Sequence, residues 1–232
     1  MERRRRTALR PALLLACAAA VPAMLLAGCS SGGGSDSDKS GGSTAGTATP
    51  TTPTLAPAKY GTLPEGCATV GKATVAALVP KAKSAAGTPA LSQDIGARAG
   101  CSWTGNGSDG YQYRWLSVTL QRFTSTATAS AEQQAKDRFA DQVAQLGKTP
   151  GATSTAVAKL GDQAGSIAAK ATVSKVTSQN DTVVTRVGNV VVIVEYNGAG
   201  LEGKKNPSAK TVAAGAERAA KDAVLAVVGA NS

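Results

Sequence analysis

The pattern of apolar and polar residues changes twice along the chain. Residues 11–26 are almost wholly apolar, residues 30–58 contain very few side chains that could be buried, and beyond residue 58 apolar positions recur with helix and strand periods. A segment with so little to bury cannot offset its conformational entropy, so residues 29–58 are predicted to form a disordered tether. Residues 59–232 are long enough to form a single globular domain.

Three segments of this domain have the period of amphipathic helices. The first covers residues 67–79. The second begins at Ser130, which together with Gln133 has the spacing of a capping box. The third is predicted to have Asn206 as its N-cap and Pro207 at its first helical position.

Alternating and continuous apolar runs predict the strands. Residues 98–104 and 111–123 form the first two, and residues 164–176 form one or two more. Residues 182–187 and 190–196 form a hairpin around the turn Gly188-Asn189. The unbroken valine-rich run at the start of the second hairpin strand predicts a central strand covered on both faces. The order of elements predicts an α+β sandwich, with a mainly antiparallel sheet of about five strands packed with helices.

The first 28 residues have the layout of an export signal. Five arginines precede an apolar stretch that contains Pro22 and is too short to span a bilayer. The sequence Leu26-Ala27-Gly28-Cys29 then follows, and it resembles the lipobox of bacterial lipoproteins, whose cysteine is lipidated and becomes the mature N-terminus. The resemblance implies a signal peptide over residues 1–28, palmitate or a similar lipid on Cys29, and an exported protein anchored at the outer face of the cell membrane.

The net charge changes once this signal is set aside. The chain carries 25 basic and 15 acidic residues, but residues 1–28 hold five of the arginines and one glutamate. The remaining 20 basic and 14 acidic residues leave a formal charge of +6 in place of +10. A solvated surface accounts for this excess, so we expect no nucleic-acid partner.

The four cysteines divide into three groups. Cys17 lies in the signal peptide and Cys29 is the lipid attachment site, which leaves Cys67 and Cys101. An even pair in an oxidising compartment favours one disulfide, and the alternative is two separately buried thiols. Since the chain has no histidine, two cysteines make a poor zinc site, and we expect no metal and no cofactor.

The aromatic residues are the best candidates for a ligand site. Trp103, Tyr113 and Trp115 lie close together in the sequence, and the last two share one face of their predicted strand. Aromatic side chains gathered on one sheet face can line an apolar or sugar-binding cleft. The alternative is that Trp103 packs on the disulfide and Trp115 lies under a helix as part of the core.

Two other motifs are better explained without a ligand. Residues 105–110 match the glycine pattern of a dinucleotide-binding loop, but a strand pattern follows them where that motif needs a helix. A hairpin loop is the better interpretation. Asp137 and Asp141 lie one helical turn apart, and we expect them on a solvated helix face.

Four short motifs resemble a group of actinobacterial cell-envelope lipoproteins of unknown function. They are Cys67 at the start of the first helix, Cys101-Ser102-Trp103, Gly161-Asp162-Gln163-Ala164 in a turn, and the valine-rich hairpin over 186–192. The arrangement is more distantly similar to the extracellular sensor domains of some bacterial serine/threonine kinases. The resemblance covers most of residues 63–228 and implies a small α/β sandwich with the two cysteines joined. It implies no catalytic residue.

The residues available for chemistry favour binding over catalysis. The absence of histidine excludes the Ser-His, Cys-His and His-metal arrangements. We therefore expect a non-catalytic, lipid-anchored envelope module that binds a small ligand or an envelope protein. One alternative is a cell-wall-acting hydrolase that uses carboxylates or a Ser/Lys pair. Another is a sensor or accessory subunit of a membrane complex.

Overall fold

The structure is a computed structural model, and it describes residues 55–94, 96–201 and 203–232. Three predictions lie outside these residues: the signal peptide, the lipid attachment at Cys29 and the part of the tether up to residue 54. Within the described part of the chain, no helix is both long enough and apolar enough to cross a membrane.

Three helices of the described residues are separated along the chain by two groups of strands, in the order that the apolar periods predict. The helices are α1 (Lys72–Leu78), α2 (Ala131–Gly147) and α3 (Ala209–Gly229), and a 3-10 turn over Gly66–Ala68 precedes α1. The strands are β1 (Lys81–Ala82), β2 (Thr88–Pro89), β3 (Arg98–Asn106), β4 (Gln112–Arg122), β5 (Thr153–Ala156), β6 (Gln163–Val173), β7 (Val176–Val187) and β8 (Val190–Gly200).

The strands of the described residues form one antiparallel sheet in the order β1-β3-β4-β8-β7-β6-β5, with β2 paired to β3. The α+β class and the mainly antiparallel pairing are confirmed. The count of about five strands is wrong, because the sheet has eight. The additional strands β1, β2 and β5 are two to four residues long, and segments this short show no alternation of apolar and polar residues.

Strand β8 is central and is covered on both faces, as its valine run predicts. Val190, Val192 and Val194 belong to a core that also contains the inner sides of α1 and α3. Val191 and Ile193 point the other way, into a smaller core closed by α2. Successive side chains of a strand point to opposite faces of the sheet, so an unbroken apolar run makes both faces of β8 apolar. Helices cover the sheet on both sides for this reason.

Helix α3 packs closely on the sheet because its buried side is made of small residues. These are mostly alanines, framed by one valine near each end: Val212, Ala216, Ala219, Ala220, Ala223 and Val227. The predicted start of this helix is wrong by two residues, since Ser208 is the N-cap and its hydroxyl accepts the Thr211 N–H at 3.0 Å. The side chain of Asn206 instead joins strands, accepting from Gly200 N–H and donating to Thr177 O.

Helix α2 begins as predicted, and half of its capping box forms. The Ser130 hydroxyl accepts the Gln133 N–H at 3.1 Å. The Gln133 side chain does not turn back to the cap; it donates forward to Asp137 at 2.8 Å, which lies one turn along the helix. The single cap bond and the packing of the helix on the sheet are therefore enough to start α2 at this residue.

Candidate functional site

The three aromatic residues of the predicted ligand site do not lie on one face of the sheet. Trp103 pairs across strands with Leu116, and both are buried beneath α1 and α3. Trp115 is the chain neighbour of Leu116, so it points to the opposite face, together with Tyr113. Trp115 is 41% exposed, whereas Trp103 is 2% exposed. Trp103 is therefore separated from the other two by the thickness of the sheet.

Trp103 packs beside the disulfide, which is formed as predicted. Cys67 and Cys101 are joined, with their Cα atoms 4.9 Å apart. Gly87 covers both groups with a φ of 81°, and a Cβ at this position would overlap Cys101 Sγ and the indole of Trp103. The positive φ and this close approach both require glycine. The buried indole Nε1 has no hydrogen-bond partner among the described residues.

An apolar groove close to this disulfide is a candidate ligand site, and Ala86, the residue before Gly87, belongs to its lining. It has a volume of about 450 Å³ and runs between α1 and the segment that follows it. Lys72 stands at its rim, and the rest of its lining is aliphatic: Val75, Ala76, Val79, Pro80, Ala82, Ala85 and Ala86. A smaller hollow of about 250 Å³ shares part of this lining and extends to Cys67 and Trp103.

Both walls of the groove are held in place by the rest of the fold. The disulfide ties the turn before α1 to β3. The Tyr196 hydroxyl donates to Leu78 O at 2.7 Å, and Asp222 of α3 accepts the Gly71 N–H at 3.0 Å. On the opposite wall the Lys83 N–H donates to Thr104 O at 2.8 Å. The groove is therefore preformed, which reduces the ordering cost of binding a ligand.

Tyr113 and Trp115 lie on a polar part of the sheet. Across the strands, Trp115 is paired with Thr104 on one side and with Asn197 on the other. Thr104 and Asn197 offer hydrogen-bonding groups beside the indole ring of Trp115. Tyr113 and Trp115, however, lie on an open surface and line neither the groove nor the smaller hollow. A role for Tyr113 and Trp115 in binding stays a prediction.

A second hollow lies at the junction of β3, β4 and α2. It has a volume of about 400 Å³ and a mainly polar lining. We call it the arginine hollow, because three of its lining residues are Arg98, Arg122 and Arg138. The Arg138 Nε–H donates to Gln121 Oε1 at 2.9 Å, and the Arg122 Nε–H donates to Gly96 O at the same distance. The three arginines belong to separate elements, so the sequence contains no signal that they meet.

The motifs that carried the family resemblance have structural roles here. Asp162 accepts from the Arg186 guanidinium at 3.0 Å and from the Gly188 N–H at 2.7 Å. Gln163 accepts from Arg186 Nε at 2.8 Å. The turn over residues 161–164 is thus hydrogen-bonded to the tip of the β7–β8 hairpin. At this tip Gly188 has a φ of 56°. A positive φ at the first of the two turn residues alone is the pattern of a type II′ turn.

One carboxyl group is buried in the core between β7 and α3. Asp181 is 1% exposed, and both of its oxygens are within hydrogen-bonding distance of the Ser166 hydroxyl, at 2.9 and 3.0 Å. Burial raises the pKa of Asp181 above its ordinary value and nearby Glu217 raises it further, while the bond from Ser166 acts in the opposite direction. Because the group is sealed from solvent, it supports no reaction with a large substrate.

We expect the protonated carboxyl of Asp181 to contribute stability that is lost as the pH rises above about 4, since a carboxyl whose pKa is higher in the folded state binds its proton more tightly there. One group contributes a slope of at most about 1.4 kcal/mol per pH unit, between the unfolded and the folded pKa. Asp181→Asn should remove this part of the slope in urea unfolding measured between pH 4 and 7. The control Asp141→Asn, at an exposed position, should keep it. Parallel profiles for all three proteins would contradict the assignment.

The remaining candidates from the sequence are solvated or structural. Asp137 and Asp141 are exposed on α2, and residues 105–110 form the end of β3 and most of the loop that leads to β4. No group of three or more potential metal ligands occurs within the described residues. Compared with models of protein families and with curated proteins, the chain matches none.

Proposed function

We propose that this chain is a lipid-anchored, extracytoplasmic binding module that holds an apolar ligand in the groove beside α1. The observation that carries the proposal is the groove itself, a preformed aliphatic hollow of about 450 Å³ with one amine at its rim. This volume lies in the range of small-molecule sites, which are mostly apolar with a few polar groups that orient the ligand. The lipobox-like sequence at Cys29 supports the anchor and the compartment.

The lining supports a ligand with an aliphatic body and an anionic or hydrogen-bond-accepting end. Val75 and Val79 form a buried floor on which an aliphatic chain would lose its contact with water. Lys72 borders both the groove and the smaller hollow, and its ammonium group would attract an anionic end. Trp103 lines the smaller hollow together with Cys67, and its buried indole Nε1 has no hydrogen-bond partner among the described residues.

The same lining favours binding over the hydrolase alternative. A hydrolase without histidine would need convergent carboxylates, or a serine beside a lysine, at a concave surface. Of the residues that line the groove, one, Lys72, has a titratable side chain, and the others are aliphatic. This lining lacks the pair of groups that a hydrolase would need. The sensor alternative stays compatible with the groove, since a sensor also needs a bound ligand.

A fluorescent fatty acid, dansylaminoundecanoic acid, tests the groove directly. Ala76→Trp places a large side chain in the groove, and we expect it to weaken binding of this probe at least tenfold. The matched control is Ala77→Trp, since Ala77 is the next residue of α1, is also exposed and does not line the groove. Equal affinities for the two variants would contradict a site in the groove.

The anchor is tested separately in cells. Cys29→Ser should move the protein from the membrane fraction to the soluble extracytoplasmic fraction, because a cysteine is required for lipid attachment and stable anchoring takes more than one acyl chain. Retention of Cys29→Ser in the membrane fraction after a salt wash would contradict the lipid anchor. The result is independent of the groove, so the two halves of the proposal can fail separately.

A further inference from the structure

We propose that the arginine hollow binds the phosphate group of an anionic lipid in the membrane to which the chain is tethered, an inference that rests on the proposed lipid anchor. The hollow is lined by Asp94, Ala97, Arg98, Gln121, Arg122, Phe123 and Arg138. Three guanidinium groups in one concave site are well suited to a phosphate, because arginine presents paired N–H donors in the geometry of an oxyanion.

Two of the three guanidinium groups are oriented by the protein and keep their ends free. Arg122 and Arg138 each use Nε to donate to a protein acceptor, Gly96 O and Gln121 Oε1. Gln121 is itself 9% exposed, so the bond to Arg138 is anchored in the sheet. The Nη groups of Arg122, Arg138 and Arg98 have no protein hydrogen-bond acceptor among the described residues. These are the paired donors that a phosphate would use.

The acidic groups nearby do not neutralise the hollow. Asp94 lines it, but its Oδ1 accepts the Ala97 N–H at 3.0 Å and so shapes the loop. Asp137 and Asp141 lie within one turn of Arg138 on α2. Within the part of the chain that the structure describes, none of these carboxylates comes within ion-pairing distance of the three arginines. The lining therefore has three positive charges and one negative charge.

The position at which the chain enters the fold favours a membrane lipid as the source of the phosphate. Asn189 bonds to both Tyr60 and Phe123, and the Ser125 hydroxyl donates to Ala56 O at 3.3 Å. Phe123 also lines the hollow, so the segment that leads back towards Cys29 enters the fold beside the hollow. The tether predicted from the sequence joins this segment to Cys29, and a tethered domain would present the arginines to the lipid headgroups at a high effective concentration.

Vesicle flotation tests the proposal with the purified chain from residue 30 onwards, which carries neither a lipid nor the arginine-rich apolar segment of residues 1–28. We expect binding to phosphatidylcholine vesicles that contain phosphatidylglycerol, and little binding to phosphatidylcholine alone. Replacing Arg98, Arg122 and Arg138 together by glutamine should weaken the binding about 100-fold, since each basic residue at an anionic membrane contributes about a factor of five.

The control removes the same charge elsewhere. Lys136, Lys148 and Lys221 are exposed and lie outside the hollow, and replacing all three by glutamine should weaken binding much less. Equal losses in the two triple variants would overturn the proposal, because they would show a response to net charge alone. The single variant Arg98→Gln, whose side chain is exposed, should still weaken binding about fivefold. It thus tests the hollow without disturbing the bonds of Arg122 and Arg138.

Soluble phosphates distinguish the source of the anion. Glycerol 3-phosphate and inorganic phosphate should compete with the vesicles only at millimolar concentrations. Tight binding of either one, without binding to vesicles, would overturn the assignment to a membrane lipid. Ala76→Trp should leave vesicle binding unchanged, so failure of the groove and failure of the arginine hollow give different results. Cells that carry Cys29→Ser report on the anchor independently of both.

Discussion

Replacing Cys67 and Cys101 together by serine should lower the free energy of unfolding by about 2–5 kcal/mol. The bond closes a loop of 34 residues, so its removal gives the unfolded chain much more conformational freedom. It also leaves two hydroxyls where the sulfur of Cys101, which is 2% exposed, packs beside Trp103. Urea unfolding followed by far-UV circular dichroism, with the wild-type protein as reference, measures the change.

Reduction of the wild-type protein provides the control for this variant. Dithiothreitol should also lower the unfolding midpoint of the wild-type protein, because it breaks the disulfide without replacing any side chain. A loss below 1 kcal/mol in both experiments would contradict a stabilising role for the bond. Because the disulfide ties the wall of the groove to β3, we also expect the double variant to bind the fluorescent fatty acid more weakly.

Asn189→Ala should lower the free energy of unfolding by about 3 kcal/mol. Its side chain is fully buried, and its Oδ1 accepts the Tyr60 N–H at 2.7 Å while its Nδ2 donates to Tyr60 O at 3.0 Å and to Phe123 O at 2.8 Å. Alanine would leave backbone groups unpaired in the interior, each at about 1 kcal/mol or more. Urea unfolding of the variant measures the loss.

Asn197→Ala is the control, because Asn197 lies on β8, the strand that begins directly after Asn189, and is only half-buried. The structure gives its side chain no hydrogen bond to the described residues, so we expect a loss below about 0.5 kcal/mol. Equal losses for the two variants would contradict a specific role of the Asn189 side chain in attaching the segment around Tyr60.

The sequence predicts the elements correctly where the signal is local. The β7–β8 hairpin and the start of α2 depend on residues a few positions apart, and both form as predicted. The start of α3 was misplaced because Asn206 and Ser208 are both good N-caps. Only the strands that surround Asn206 draw its side chain into other bonds, with Gly200 and Thr177.

The candidate site was harder to predict than the fold. Trp103 was expected either in a cleft with Trp115 or against the disulfide, and the structure has it packed beside the disulfide. The groove is made largely of alanines and valines, which the sequence also places throughout the core. They line a groove because residues 82–86 run past α1. The apolar pattern of the sequence does not predict this path.

The sequence by itself determined the long helices and strands and the chemistry that is absent without histidine, and it favoured the pairing of Cys67 with Cys101, since these follow from local periods and from composition. The tertiary structure alone decided which side chains meet. Strand register separates Trp103 from Trp115 and pairs Arg98 with Gln121, beside which Arg122 and Arg138 also lie. The physical reason is that a hollow is formed by residues distant in sequence, whose contacts depend on register and packing and not on their spacing along the chain.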